Sequence, residues 1–289
     1  MPTASYLIAD MQVKLGDPSG NIFSTGNLLN WLNEAQRDFC FKVTPLRQID
    51  ATIIGTGINT FPIPSGKIIF DGVFTRNRIG MKMKALTFTE YNTQVAACPG
   101  AVGIDSDSWT ELDQTLYVYP AYGTAAVSTL CPIGENATTT TIRVTSTTHF
   151  KAWGRILTSN GEEIEYSSID STHFYGCTRG LGGTTAASIS KGARITQCDL
   201  WMVYRRLPTT MSAMTDTPEI RETYHEGLQL YAMYLAYRQT GEMDKAKTMY
   251  TRWEELIKRA DYVESREHLD LISLHDTETQ GFNHLDGPR

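Results

Sequence analysis

Apolar residues recur at helical spacing near both ends of the chain and at strand spacing between them. Leu7, Met11 and Leu15 repeat every four residues, which predicts a helix from about Ala4 to Leu15 with Thr3 as its cap. The run Gly16-Asp17-Pro18-Ser19-Gly20 breaks it. A second helix is predicted from Ser24 as N-cap to about Val43, with Leu28, Leu32, Ala35 and Phe39 as its apolar stripe and Pro45 as its stop. A third starts at Pro218, where a first-turn proline loses no hydrogen bond, and buries Ile220, Tyr224, Leu228, Tyr231 and Leu235 before Gly241. A fourth runs from about Glu242 to Glu264 and carries Met243, Ala246, Tyr250, Trp253, Ile257 and Ala260.

Between these ends the period changes. Residues 51–54, 60–63, 68–70 and 73–74 are short β-branched and aromatic runs separated by Gly55, Gly57, Pro64 and Gly66. The segments 109–112 and 115–119 flank Asp113-Gln114, the spacing of a two-residue hairpin. One helical turn is expected within 86–95, and a loop from Gly100 to Asp107. From 128 to 198 strands alternate at 142–144, 155–157, 163–166 and 174–177, and residues 200–204 return to the main sheet. The fold class expected is therefore α+β: a four-helix bundle, made from the N- and C-terminal helix pairs, packed with a β-sheet core that carries an inserted small β-module. Residues 1–127 and 199–264 form the discontinuous core, 128–198 the module, and 265–289 an extended acidic tail.

With 289 residues the chain can bury a sizeable core. Its net charge of -6 argues against a dedicated nucleic-acid binder, which needs a basic stripe to displace counterions. No apolar run is long enough to span a bilayer, and Met1-Pro2-Thr3-Ala4-Ser5 lacks the form of a secretory signal. Cys40, Cys98, Cys131, Cys177 and Cys198 are scattered without a CxxC pair, which favours reduced thiols packed as small hydrophobes. Asn136-Ala137-Thr138 matches a glycosylation acceptor only by accident, since no secretion route accompanies it.

Candidate chemistry is sparse. Arg179-Gly180-Leu181-Gly182-Gly183-Thr184-Thr185 is glycine-rich but lacks the lysine before its threonine and the following helix that a phosphate loop requires, so a tight turn is expected. Glu163 and Glu165 share one face of a strand, which reads as a solvated face because nothing completes an acid–base or metal site. The six histidines have no metal-ligand spacing, and no GxSxG elbow occurs. Neither catalysis nor a cofactor is expected. Tyr234 and Tyr237 lie beside the main stripe of the third helix, where amphipathic aromatics suit a subunit interface.

The segment Met11–Gly20 followed by Leu28-Leu29-Asn30-Trp31-Leu32-Asn33-Glu34-Ala35-Gln36-Arg37 resembles the N-terminal helices of head-to-tail adaptor proteins of tailed bacteriophages, also called connector or head-completion proteins. Tyr204-Arg205-Arg206-Leu207-Pro208, Pro218-Glu219 and Glu226-Gly227-Leu228 resemble the late strand-to-helix passage of the podophage type. Residues 161–166, 176–180 and 183–186 are similar to small β-modules of phage tail and neck proteins. The resemblance implies a virion protein assembled in the host cytoplasm. It would form a ring of about twelve copies between the portal and the tail nozzle or fibres. Duplex DNA would pass through such a ring without being gripped, helped by the acidic charge. It also implies that the tail orders on the portal, which adds Asp270, Leu271, Ile272, Leu274, Phe282 and Leu285 to Tyr234 and Tyr237 as interface positions. The alternative is a fibre-type or carbohydrate-binding attachment protein of a phage tail, suggested by the β-module and its aromatic residues.

Overall fold

A computed structural model describes residues 1–54, 56–75, 82–103, 106–123 and 125–282, with side chains described as far as Ser265. The fold is α+β, with five α-helices among the described residues: α1 (Ala4–Lys14), α2 (Thr25–Val43), α3 (Phe88–Ala97), α4 (His225–Gln239) and α5 (Met243–Phe282). The chain divides into two compact units, one of residues 1–46 with 206–289 and one of residues 47–205.

In the helical unit, α1 packs on α2 and α4, α2 on α4 and α5, and α4 on α5. The expected stripe of α2 is buried in full at Leu28, Leu32, Ala35 and Phe39, each such side chain larger than alanine contributing about 1.5–3 kcal/mol. The Ser24 hydroxyl accepts a hydrogen bond from the Asn27 amide at the start of α2, and Thr44 closes it in the left-handed conformation. On α1, Leu7 and Met11 are buried as expected, joined by Ala4 and Ile8. Gln229 of α4 stitches α1 in place: its amide nitrogen donates to the Leu7 carbonyl (3.2 Å) and to Asp10 (2.9 Å), and its oxygen accepts from Lys14 (3.2 Å). Trp253 of α5 is fully buried against Phe39 and Tyr231. Gly227 lets α4 and α5 approach closely, because a Cβ there would stand 2.8 Å from Leu256 and 3.1 Å from Trp253.

Two helix boundaries differ from the expected ones. The third helix begins at His225 rather than at Pro218, after a 3₁₀ turn at Glu222–Tyr224. The preceding loop engages Glu219 instead: its amide donates to Gln36, and its carboxylate accepts from Arg206, the Thr209 amide and the Thr209 hydroxyl. The last helix continues through residues 265–282, where an extended tail was expected. Those residues hold no glycine or proline before Gly281, so no backbone signal interrupts a helix already growing from α5.

The second unit is built of short strands. Arg47–Thr52, Leu200–Arg206 and Lys67–Thr75 form one sheet in that order, with Asp50 opposite Met202 in an antiparallel pair. Thr60–Pro62, Thr115–Tyr119, Ser108–Leu112 and Lys84–Ala85 form another. Both contribute to a core of Ile54, Phe61, Val73, Leu116, Val118 and Tyr204, among others. The expected hairpin is present: Leu112 pairs with Thr115 across Asp113 and Gln114, whose φ values of 48° and 61° suit a two-residue turn. Residues 88–97 make a full helix, α3, in place of the single turn expected, because Thr87 and Glu90 form a reciprocal capping box.

Residues 128–198 carry a core of their own. Thr178–Leu181, Glu163–Tyr166, Gly154–Thr158, Arg194–Gln197 and Ser128–Leu130 form a five-stranded sheet, and Ile142–Arg143, His173–Tyr175 and Ser168–Ile169 a three-stranded one. Ile142, Ile156, Ile164, Tyr166, Phe174 and Ile195 pack inside it. The first and last of these strands to be met along the chain lie side by side, with Ser128 opposite Thr196.

Candidate functional site

The glycine-rich segment at 179–185 closes on itself. Gly180, Gly182 and Gly183 adopt φ of 67°, 60° and 80°, and the Thr184 hydroxyl donates to the Leu181 carbonyl while accepting from the Glu163 amide. A tight turn is therefore what the glycines provide. Arg179 is held by Glu162, with its Nε and Nη2 each 2.7 Å from a carboxylate oxygen, and it also donates to the carbonyls of Asn136 and Ala187.

The expectation of a solvated carboxylate face at Glu163 and Glu165 is corrected in part. Glu165 is exposed, but Glu163 is buried and shares Arg155 with it. Arg155 also donates to the Ile49 carbonyl (2.8 Å), and Glu163 accepts from the Ala51 amide (3.4 Å), so this pair fastens the 128–198 stretch to the strand Arg47–Thr52. Burial raises the Glu163 carboxyl above its ordinary value despite the Arg155 guanidinium. Burial also pushes Glu162 upward, but the hydrogen bonds from Arg179, Ala187 and Gly180 outweigh it and leave that carboxyl below the ordinary range. Among the described residues no group of histidine, cysteine or carboxylate side chains is arranged to hold a metal ion. No described helix is long and apolar enough to cross a membrane.

Of the expected interface positions, Tyr234 and Tyr237 are half-buried on α4. Tyr234 packs on Tyr231 and Tyr250 and accepts a hydrogen bond from Arg238, and Lys245 lies over the Tyr237 ring. Burial, with the Asp38 and Glu34 carboxylates, pushes the Tyr231 phenol up to about 12. Asp270, Leu271, Ile272, Leu274 and Phe282 fall on the backbone of α5, their side chains outside the described residues, and Leu285 lies outside them altogether.

Two further surfaces stand out on the helical unit. A groove runs between α4 and α5 as two adjoining hollows of about 290 and 450 Å³ that share Glu226, Leu230 and Arg252. On α1, Tyr6 and Val13 are 66% and 69% exposed, and Ala9 is exposed between them. At about 100° per residue these three fall on the side of α1 opposite its buried set. The sequence held this signal, because the spacing 6, 9, 13 repeats the helical period on a second face.

The described residues thus offer buried ion pairs that close loops, an apolar outer helix face and an interhelical groove. The family model for the SU10 adaptor protein matches residues 2–270. The chain belongs to that family and is a bacteriophage structural adaptor, as the resemblance in its terminal helices implied. No curated protein matches it.

Proposed function

We propose that this adaptor forms a closed ring of about twelve copies between the portal and the tail, gives DNA a passage, and offers a platform on which the nozzle or fibres dock. The observation that carries this reading is membership of a phage adaptor family across residues 2–270, a span that includes both helical segments and the whole β-rich middle. The four long helices α1, α2, α4 and α5 act in it as one bundle, the brick that repeats around the ring axis. Its role is architectural rather than catalytic, and it is a component of the virion neck, assembled in the host cytoplasm.

Net charge supports the conduit. A chain of charge -6 gives a lumen that duplex DNA is not held to, since binding requires basic groups that release counterions. The 128–198 module, with its separate core, is the element that meets tail components. Tyr234, Tyr237 and the C-terminal stretch from Asp270 to Leu285 serve subunit and portal contacts.

The test is to mix the purified protein with its portal and image the product by electron microscopy. Rings seated on the portal are expected. A protein that never binds portal and never forms rings refutes the reading. Removing residues 128–198 should leave portal binding intact and abolish nozzle or fibre attachment. Loss of portal binding instead would assign the module to the ring itself. Glycan binding by the protein would favour the attachment-protein alternative, for which exposed Trp153 on the module is the motivating residue.

A further inference from the structure

We infer that the outer face of α1 in one copy seats in the α4–α5 groove of the next copy, and that this contact generates the ring. The inference rests on the ring reading above and names the two surfaces that build it.

α1 is apolar on opposite sides. Leu7, Ile8 and Met11 face the core of their own chain, while Tyr6, Ala9 and Val13 face away. An apolar helix face belongs against a partner, and the outer one of these two lies uncovered in a single copy. Its flanks carry one acid and one base, Asp10 and Lys14, paired at i,i+4. The stripe from Tyr6 to Val13 measures ~10 Å at ~1.5 Å per residue.

The groove is the matching half. Leu230 and Ala260 form its buried floor and Leu256 is half-exposed. Val263, 44% exposed, marks one end. Its rim alternates in sign, with Glu226 and Glu255 against Arg252 and Arg259. The rim of the larger hollow has no net charge, and Lys14 of the same chain's α1 borders the smaller one. The larger hollow suits a helix with an apolar stripe, and it does not suit a phosphate backbone, which needs a basic wall. Stripe and groove are different surfaces of one unit, so their contact is heterologous: each copy offers the stripe on one side and accepts it on another. Where its rotation closes, such a contact repeated around an axis gives a ring that covers both surfaces in every copy. A partner other than a second copy would cover only one of them.

Cross-linking on the portal tests this. A Cys98→Ser background removes the one exposed thiol, and Val13→Cys with Val263→Cys places one new thiol on each surface. The chain is loaded on its portal and treated with a short flexible bis-maleimide. A denaturing gel should show a ladder rising in steps of one chain, 32.3 kDa. Each single-cysteine variant should show no ladder. Dimers from the Val13→Cys variant alone would reveal a symmetric contact and overturn the inference. Rings seen by microscopy without a ladder would also overturn it while leaving the ring reading intact. Absence of rings with wild-type protein on the portal overturns that reading itself.

Discussion

Arg179 grips Glu162 through two parallel hydrogen bonds of 2.7 Å, and both side chains are nearly sealed from water, at 7% and 1% exposure. Breaking one partner of such a pair strands the other charge. Arg179→Ala or Glu162→Gln should therefore cost about 3–5 kcal/mol in the opening free energy of residues 128–198. Hydrogen exchange resolved to that stretch measures it.

The same region should show opposite acid responses at two adjacent carboxylates. Glu162 is held below the ordinary carboxyl value, so its contribution is complete above about pH 4.3 and is lost as pH falls through the lower folded value. Glu163 is raised, so it opposes folding at neutral pH, and that penalty is relieved as pH falls through its folded value. Glu163→Gln should flatten the change in stability just above the ordinary carboxyl range. Glu162→Gln should flatten the change below it. Opening free energies of the module, measured by hydrogen exchange from pH 7 to pH 3, distinguish the two.

Gly182 has φ of +60°, and a Cβ there would stand 2.2 Å from a Glu163 carboxylate oxygen. Gly182→Ala adds left-handed strain to a clash with a buried charged group. A loss of about 1–3 kcal/mol is expected in urea unfolding, against a smaller loss for Gly161→Asn, which meets left-handed strain at φ of +84° but nothing within 4 Å.

Trp253 fills the junction of α2, α4 and α5. Trp253→Ala should destabilise the helical unit by about 3–5 kcal/mol. Trp253→Phe should lose less, because it keeps the ring and removes an indole N–H that has no hydrogen-bond partner. Calorimetric melting of the two variants gives the comparison.

Thiol reactivity divides sharply by burial. Burial pushes Cys40 up to about 12 and Cys177 up to about 11, and raises Cys131 and Cys198 above the ordinary value, so all four are protonated and shielded at pH 8. Cys98 is exposed. A maleimide should label one thiol per native chain and all five after denaturation, counted by mass spectrometry.

Much of this was legible in the sequence where a local rule and tertiary packing agree. Leu28, Leu32, Ala35 and Phe39 announce their burial by spacing, Ser24 and Gly241 mark helix ends, and Asp113-Gln114 marks a hairpin. The misses have a common cause. Pro218 satisfies the rule for a helix start, but Glu219 beside it is committed to Arg206, Thr209 and Gln36, partners distant in sequence. Glu162 and Glu163 look like surface charges because their arginines, Arg179 and Arg155, sit on other strands. Of the candidate assembly surfaces, the outer face of α1 is visible as a second period in its sequence. The groove is not, since it exists only where α4 lies against α5 at the close approach Gly227 permits.

The strands that open and close the 128–198 stretch run next to each other, with the Gln197 amide donating to the Val127 carbonyl at 2.9 Å. Neighbouring strands stand only ~4.8 Å apart. Excising everything between them leaves a gap that a few residues can bridge, and a different domain with closely spaced ends fits the same opening. Residues 128–198 are thus a detour of the backbone that leaves and re-enters at adjacent strands, so their length can change without moving the points where the detour begins and ends.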